Sequence, residues 1–227
     1  VLRINKNSGV VTMNQDLVID ETGDPLQMSL NSILDLNGHE LTIGKTGLAS
    51  EVLFDGNSAL RVNENSTLRL RGNGTMGTIN FDQTTDETTN VIGNIELERE
   101  TGNADFGNTV YLKEGITLTS GTLNSNGNLV FLSDATNTAI VREVPSGGGT
   151  ISDDVVIQRF FSSNRAFRYI SPSVTTSTSI NANWQEGQSN PTTDLNDNQD
   201  NVSGFGTHIT GSAWISENGF DATQTGN

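Results

Sequence analysis

ITLTSGTLNSNGNLVFL, residues 116–132, decides the fold. Ile116 and Leu118 alternate with Thr117 and Thr119, Ser120-Gly121 breaks the run, Leu123 follows, and Asn126-Gly127 leads into an apolar stretch at 129–132. Period-two alternation puts apolar side chains on one face of a strand and polar ones on the other. Residues 33–43, ILDLNGHELTI, have the same layout of short strand, Asn-Gly and short strand. The unit recurs at Leu60 and Val62, Leu68 and Leu70, Ile79 and Phe81, Ile95 and Leu97, and Val110 and Leu112. One such strand cannot bury its apolar face alone, whereas many stacked on their neighbours can, and that is the logic of a solenoid.

The steps between units are irregular, so the pattern predicts a parallel β-helix whose coils hold two or three short strands, not a repeat of fixed length. A run of β-hairpins is the rival, because Asn-Gly between alternating strands is a strong hairpin signal and both Asn37-Gly38 and Asn126-Gly127 fit it. The same pairs suit the left-handed corners of a β-helix, where φ is positive. Recurrence of the unit from residue 33 to residue 157 without long connections favours the β-helix. No segment has a 3.6-residue apolar period, so helix is expected to be nearly absent.

At 227 residues the chain has room for one large β domain or two smaller ones. Its 33% apolar and 6% aromatic content is low for a compact globule and suits a thin solenoid with a narrow core. A net charge of −15 and a pI of about 4.3 disfavour nucleic acid as a partner. Acidity also keeps an exposed sheet protein soluble. Without cysteine there is neither a disulfide nor thiol chemistry. No apolar run approaches a membrane span, and Val1 opens no signal peptide, so the N-terminus reads as processed or cut from a longer chain.

Residues 1–24 hold two weak strands, around 10–13 and 17–19, that form either a first coil or the tail of a preceding domain. Outward positions between 26 and 81 mix Asp35, Arg61, Arg69 and Asn80, which excludes the flat ranks of Thr that an ice-binding surface needs. Residues 82–90, DQTTDETTN, read as a solvated loop in preference to a cation site built from Asp82, Asp86 and Glu87. Glu96, Glu98 and Glu100 fall on one strand face, the pattern of a sheet edge or a salt-bridged surface and not of a carboxylate pair facing across a cleft. Ser146 to Gly149 is a turn cluster without the Lys and helix of a phosphate loop.

Arg159, Phe160, Arg165, Phe167, Arg168 and Tyr169 concentrate Arg and aromatic residues, and read as a packed joint between modules. Asp194, Asn196, Asn198 and Asp200 have the alternating oxygen spacing that Ca²⁺ takes, although Gln199 and Phe205 replace the Gly and Glu of an EF-hand. A solvated acidic loop is the competing account, and Ca²⁺ is the one cofactor candidate. Tyr169, Trp184 and Trp214 are candidates for a glycan-stacking platform. His39 and His208 lack ligand-spaced partners, and no hydrolase or metalloprotease motif occurs. No catalytic residue is assigned.

LDLNGHELTI and ITLTSGTLNSNGNLVFL resemble coils of the parallel β-helices of large secreted bacterial surface proteins. RAFRYISPSV, followed by INANWQEG, GFGTHITGS and NGFDATQTGN, resembles a module of flavobacterial (Bacteroidota) cell-surface proteins exported by the type IX secretion system. The resemblance implies an all-β chain. Residues 1–157 would be a parallel β-helix, and 158–227 a β-sandwich-like module incomplete at its C-terminal end. It implies an extracellular, cell-surface location, with the secretion machinery, outer-membrane components and extracellular glycans as partners. The function expected is a non-enzymatic structural and adhesive segment. The rivals are a carbohydrate-active β-helix enzyme of the polysaccharide lyase kind and a glycan-binding module.

Overall fold

A computed structural model describes residues 1–160, and every element in them is a β-strand, turn or loop. The first coil contains β1 (Leu2–Asn5), β2 (Val10–Thr12) and β3 (Leu17–Ile19), and the second β4 (Gly23–Ser29), β5 (Ile33–Asp35) and β6 (Glu40–Ile43). The third has β7 (Ser50–Phe54), β8 (Ala59–Arg61) and β9 (Thr67–Gly72), and β10 (Thr78–Ile79) opens the fourth. The long strands β11 (Val91–Phe106) and β12 (Val110–Asn124) continue through corners, where their pairing shifts register and then resumes. They are followed by β13 (Leu129–Phe131), β14 (Ile140–Val141), β15 (Thr150–Ser152) and β16 (Val155–Ile157).

All strand pairs are parallel, and each strand pairs with its counterpart in the next coil. The result is a parallel β-solenoid of about six turns with three faces. Face A starts with β1, β4 and β7, face B with β2, β5 and β8, and face C with β3, β6 and β9. Residues 1–24 therefore form the first coil and not the tail of another domain. The hairpin reading fails for a physical reason. Asn37-Gly38 and Asn126-Gly127 do adopt positive φ at both positions, as a type I′ turn requires. The chain leaving each turn stacks on the coil before it and does not fold back on its own strand. Among the described residues the one antiparallel bridge, Ser133 to Thr138, closes a small excursion.

Inward residues stack in ranks. On face C, Leu17, Leu41, Leu68, Ile95 and Ile116 are successive partners, and Ile19, Ile43, Leu70, Leu97 and Leu118 form a second rank. Leu41, Leu68, Ile95 and Ile116 are completely buried. Phe81 and Phe106 meet edge to face inside the solenoid, with ring centroids 5.2 Å apart, a favoured aromatic geometry.

The corner between faces C and A is held by a residue that alternation alone does not single out. Arg99 follows Leu97 and Glu98 where the strand register shifts, and its side chain turns into the interior, fully buried. Its guanidinium donates to the carbonyls of Arg71 (2.7 Å) and Asn73 (2.6 Å), to those of Gly74 and Ser50, and to Ser50 Oγ. No carboxylate shares the site. Burial lowers the Arg99 pKa to about 10, so the group is still charged at neutral pH. It adds a donor to carbonyls gathered at the turning backbone, of which Asn73 also accepts the Ser50 N–H and Arg71 the Ser50 hydroxyl. At the same corner Gly102, with φ of 86°, passes so close to the coil before it that a Cβ would sit 2.1 Å from the Gly74 carbonyl oxygen.

Two stability outcomes follow, both measurable by urea unfolding. Leu68→Ala should cost about 2–5 kcal/mol through the cavity it leaves, while the outward Thr117→Ala should stay within about 0.5 kcal/mol. Arg99→Met should cost on the order of 3 kcal/mol, because the Gly74 and Ser50 carbonyls lose the guanidinium donor, and Arg71 and Asn73 are left with their weaker second donors.

Candidate functional site

The outward ranks carry the charge. On face C, Arg69 stands one coil below Glu40 and one above Glu96. Its Nε and Nη2 both lie 2.6 Å from Glu96 Oε2, and its Nη1 lies 3.6 Å from Glu40 Oε1. Arg71 Nε donates to Glu98 Oε2 at 2.8 Å in the neighbouring rank. The Glu96 and Glu98 carboxylates are thus paired surface groups, as their spacing predicts, while Glu100 lies beyond the register shift and is exposed. His39 sits at a corner with Nδ1 3.4 Å from Asp16 Oδ1.

Face B carries a similar rank: Thr12, Asp35 and Arg61 are stacked partners, and Arg61 Nε donates to Asp82 Oδ2 at 2.7 Å. Asp82 opens the 82–90 loop and is nearly buried. Burial alone would raise its carboxyl pKa. Hydrogen bonds from the Thr84 side chain and Arg61, the Thr84 backbone N–H and the Arg61 charge together outweigh that and hold it below the ordinary value. The rest of the loop closes on itself. Asn90 Nδ2 donates to Gln83 Oε1 and Asp86 Oδ1, each at 3.0 Å, and the Tyr111 hydroxyl donates to Asp86 Oδ2 at 3.1 Å. The Asn90 bond is the main reason the Asp86 carboxyl lies below its usual range. Burial first, then the hydrogen bond and charge of Asp86, raises Tyr111.

Asp82, Asp86 and Glu87 do not converge, and no cluster of three metal-ligating His, Asp or Glu residues occurs among the described residues. Asp134, further along, is held well below the carboxylate range by Lys113 Nζ and by donors from Thr136 and Asn137. Ser146 to Gly149 forms a turn between β14 and β15, with the Gly148 N–H donating to the Pro145 carbonyl.

Between the face A–B corner and this loop runs a groove of about 560 Å³. Its lining includes Ser8, Asn31, Asn57, Asn80 and Asn108, each from a successive coil, Asp82, Gln83 and Thr84 of the 82–90 loop, and the apolar Ile33, Ala59 and Phe81. Asn31 Oδ1 accepts the Asn57 N–H at 3.0 Å, and Asn108 holds Phe81 through both its backbone N–H (2.7 Å) and carbonyl (2.9 Å). The sequence reading missed this line. The recurrent Asn31-Ser32 and Asn57-Ser58 pairs were its signal, since each marks the same corner of successive coils. The burial of Arg99 was hidden too, inside the Glu-Arg-Glu run.

The remaining candidates, Tyr169, Trp184, Trp214, His208 and the calcium set Asp194, Asn196, Asn198 and Asp200, lie outside the described residues. Of the Arg/aromatic run, Arg159 and Phe160 are described, and the Phe160 N–H donates to Ser133 Oγ at 2.9 Å. No helix among the described residues is long and apolar enough to cross a membrane. No family model, curated protein or solved structure matches the chain.

The depressed Asp82 pKa has a direct consequence. Its contribution to stability is present above the unfolded carboxyl value, near 3.9, and is lost as the pH falls through the lower folded value. Asp82→Asn should therefore flatten the acid limb of a pH–stability curve below about pH 4. An unchanged acid limb would show that the Arg61–Asp82 pair contributes nothing to folding.

Proposed function

We propose that the chain is a non-enzymatic structural and adhesive segment of a large secreted bacterial cell-surface protein. In this reading the solenoid is a stalk and residues 158–227 are a β-sandwich-like module joined to it. The observation that carries the proposal is the pairing of the outward charges from coil to coil: Glu40–Arg69–Glu96, Arg71–Glu98 and Arg61–Asp82. Catalytic acids and bases need capacity left open toward a substrate and a pKa tuned to the task. The displaced carboxyls here, Asp82, Asp86 and Asp134, are displaced downward by donors of their own loops together with Arg61, Tyr111 and Lys113 of neighbouring strands. That is the signature of structural capping, since a carboxylate held ionised this firmly is a poor proton carrier.

The architecture favours the same conclusion. Each coil adds about 4.8 Å of length and repeats the same polar exterior, so the fold builds reach. The likeness of RAFRYISPSV and the segments after it to flavobacterial surface modules supports export through the type IX system and an extracellular location.

Incubation of the purified protein with a panel of neutral and anionic polysaccharides tests the reading. No new reducing or unsaturated sugar ends should appear. Release of such ends, abolished by replacing one surface carboxylate, would place the protein among the polysaccharide-cleaving enzymes.

A further inference from the structure

The groove on face B has no structural task, although part of its lining is rigidly built. Its volume of about 560 Å³ falls within the roughly 300–1,000 Å³ of small-molecule sites. The loop is held by Asp82, Thr84 and the Gln83–Asn90 bond, so it does not need a ligand to form. Asn108 is committed to the backbone of Phe81, but the side-chain amides of Asn57 and Asn80 are committed to no hydrogen bond among the described residues.

Three properties identify the occupant. The groove is electrically neutral, because its one ionised group, Asp82, is already paired with Arg61. A polyanion would find no cation there and would meet a protein of net charge −15, and a polycation would find no open carboxylate. The lining joins amides, which both donate and accept, to the apolar Ile33 and Ala59. Sugar hydroxyls and the C–H faces of sugar rings match that combination. Finally, the polar line advances by one side chain per coil, about 4.8 Å, close to the length of one pyranose residue in an extended glycan. A peptide adding to the sheet would need a strand edge, whereas this groove lies on a sheet face with its strands already paired.

We infer that face B of coils one to five binds a neutral, extended glycan, laid along the solenoid axis with about one sugar residue per coil. The inference rests on the adhesive reading, to which it adds the ligand class and the contact surface.

Calorimetric titration of the 227-residue protein with cello-, manno- and xylo-oligosaccharides of increasing length, and with an oligouronide, tests it. Affinity for a neutral series should rise with length until the chain spans the five coils, and the oligouronide should bind more weakly. Asn57→Arg, which places a bulky exposed side chain in the groove, and Asn80→Ala should each weaken binding by about tenfold or more, roughly 1.4 kcal/mol. Glu51→Ala, exposed on face A, should change nothing, and all three variants should keep the wild-type circular dichroism and melting temperature. Binding that both groove variants leave intact, or no binding by any neutral series, overturns the groove. The adhesive reading survives the first of these, with the contact moved to residues such as Trp184 or Trp214. Tighter binding of the oligouronide also overturns the inference. Glycan cleavage by the wild type, together with the expected variant effects, would leave the groove standing and remove the non-enzymatic reading instead.

Discussion

Hydrogen bonding between coils is the constraint on which the rest of the molecule depends. Parallel strands pair through evenly spaced, slanted bonds. In a solenoid the closest neighbour of every residue is therefore its counterpart one coil away. Leu41, Leu68, Ile95 and Ile116 are far apart in sequence and adjacent in space because the backbone ladder puts them there. Like must stack on like inside, and an interior polar group needs partners from the backbone itself. Arg99 obeys this rule, since every acceptor it uses belongs to the corner of earlier coils.

The same ladder governs the surface. Stacked outward positions bring side chains within reach of each other, and like charges directly opposite are destabilising. The chain answers by placing unlike groups opposite each other, with Arg69 between Thr42 and Glu96, Glu40 reaching it diagonally, and Arg61 between Asp35 and Asp82. Individually such exposed pairs contribute little. Their larger effect is on register, because a slip of one residue would turn each strand inside out. Part of the surplus negative charge lies at exposed sites such as Glu21, Glu51 and Asp55, where water screens it.

Arg61, Arg69 and Arg71 each pair with a carboxylate of a neighbouring coil. On face B the 82–90 excursion stands beside a corner lined with amides, and the two border a concave strip. The excursion is ordered by its own hydrogen bonds, with Thr89 Oγ1 reaching back to the Asp82 carbonyl at 2.8 Å.

Alternation at Ile116/Leu118, Leu68/Leu70 and Ile95/Leu97, with Asn-Gly at the corners, was enough to determine strand, inward face and β class, because side-chain direction in a strand depends only on parity. It also marked the 82–90 loop and the ion-paired character of Glu96 and Glu98. Local chemistry could not choose between hairpin and coil at Asn37-Gly38, since the same turn serves both, and the choice was made by which strand the next segment meets. Parity with Ile95 and Leu97 puts Arg99 on the inward face, but sequence could not show that a charged side chain is accommodated there, because its carbonyl partners come from residues 25 to 49 positions away. The groove was only partly legible in one dimension: the Asn31-Ser32 and Asn57-Ser58 pairs mark one corner, but Ser8, Asn31, Asn57, Asn80 and Asn108 keep no constant spacing, and only coils of unequal length, brought into register by their backbone bonds, line them up.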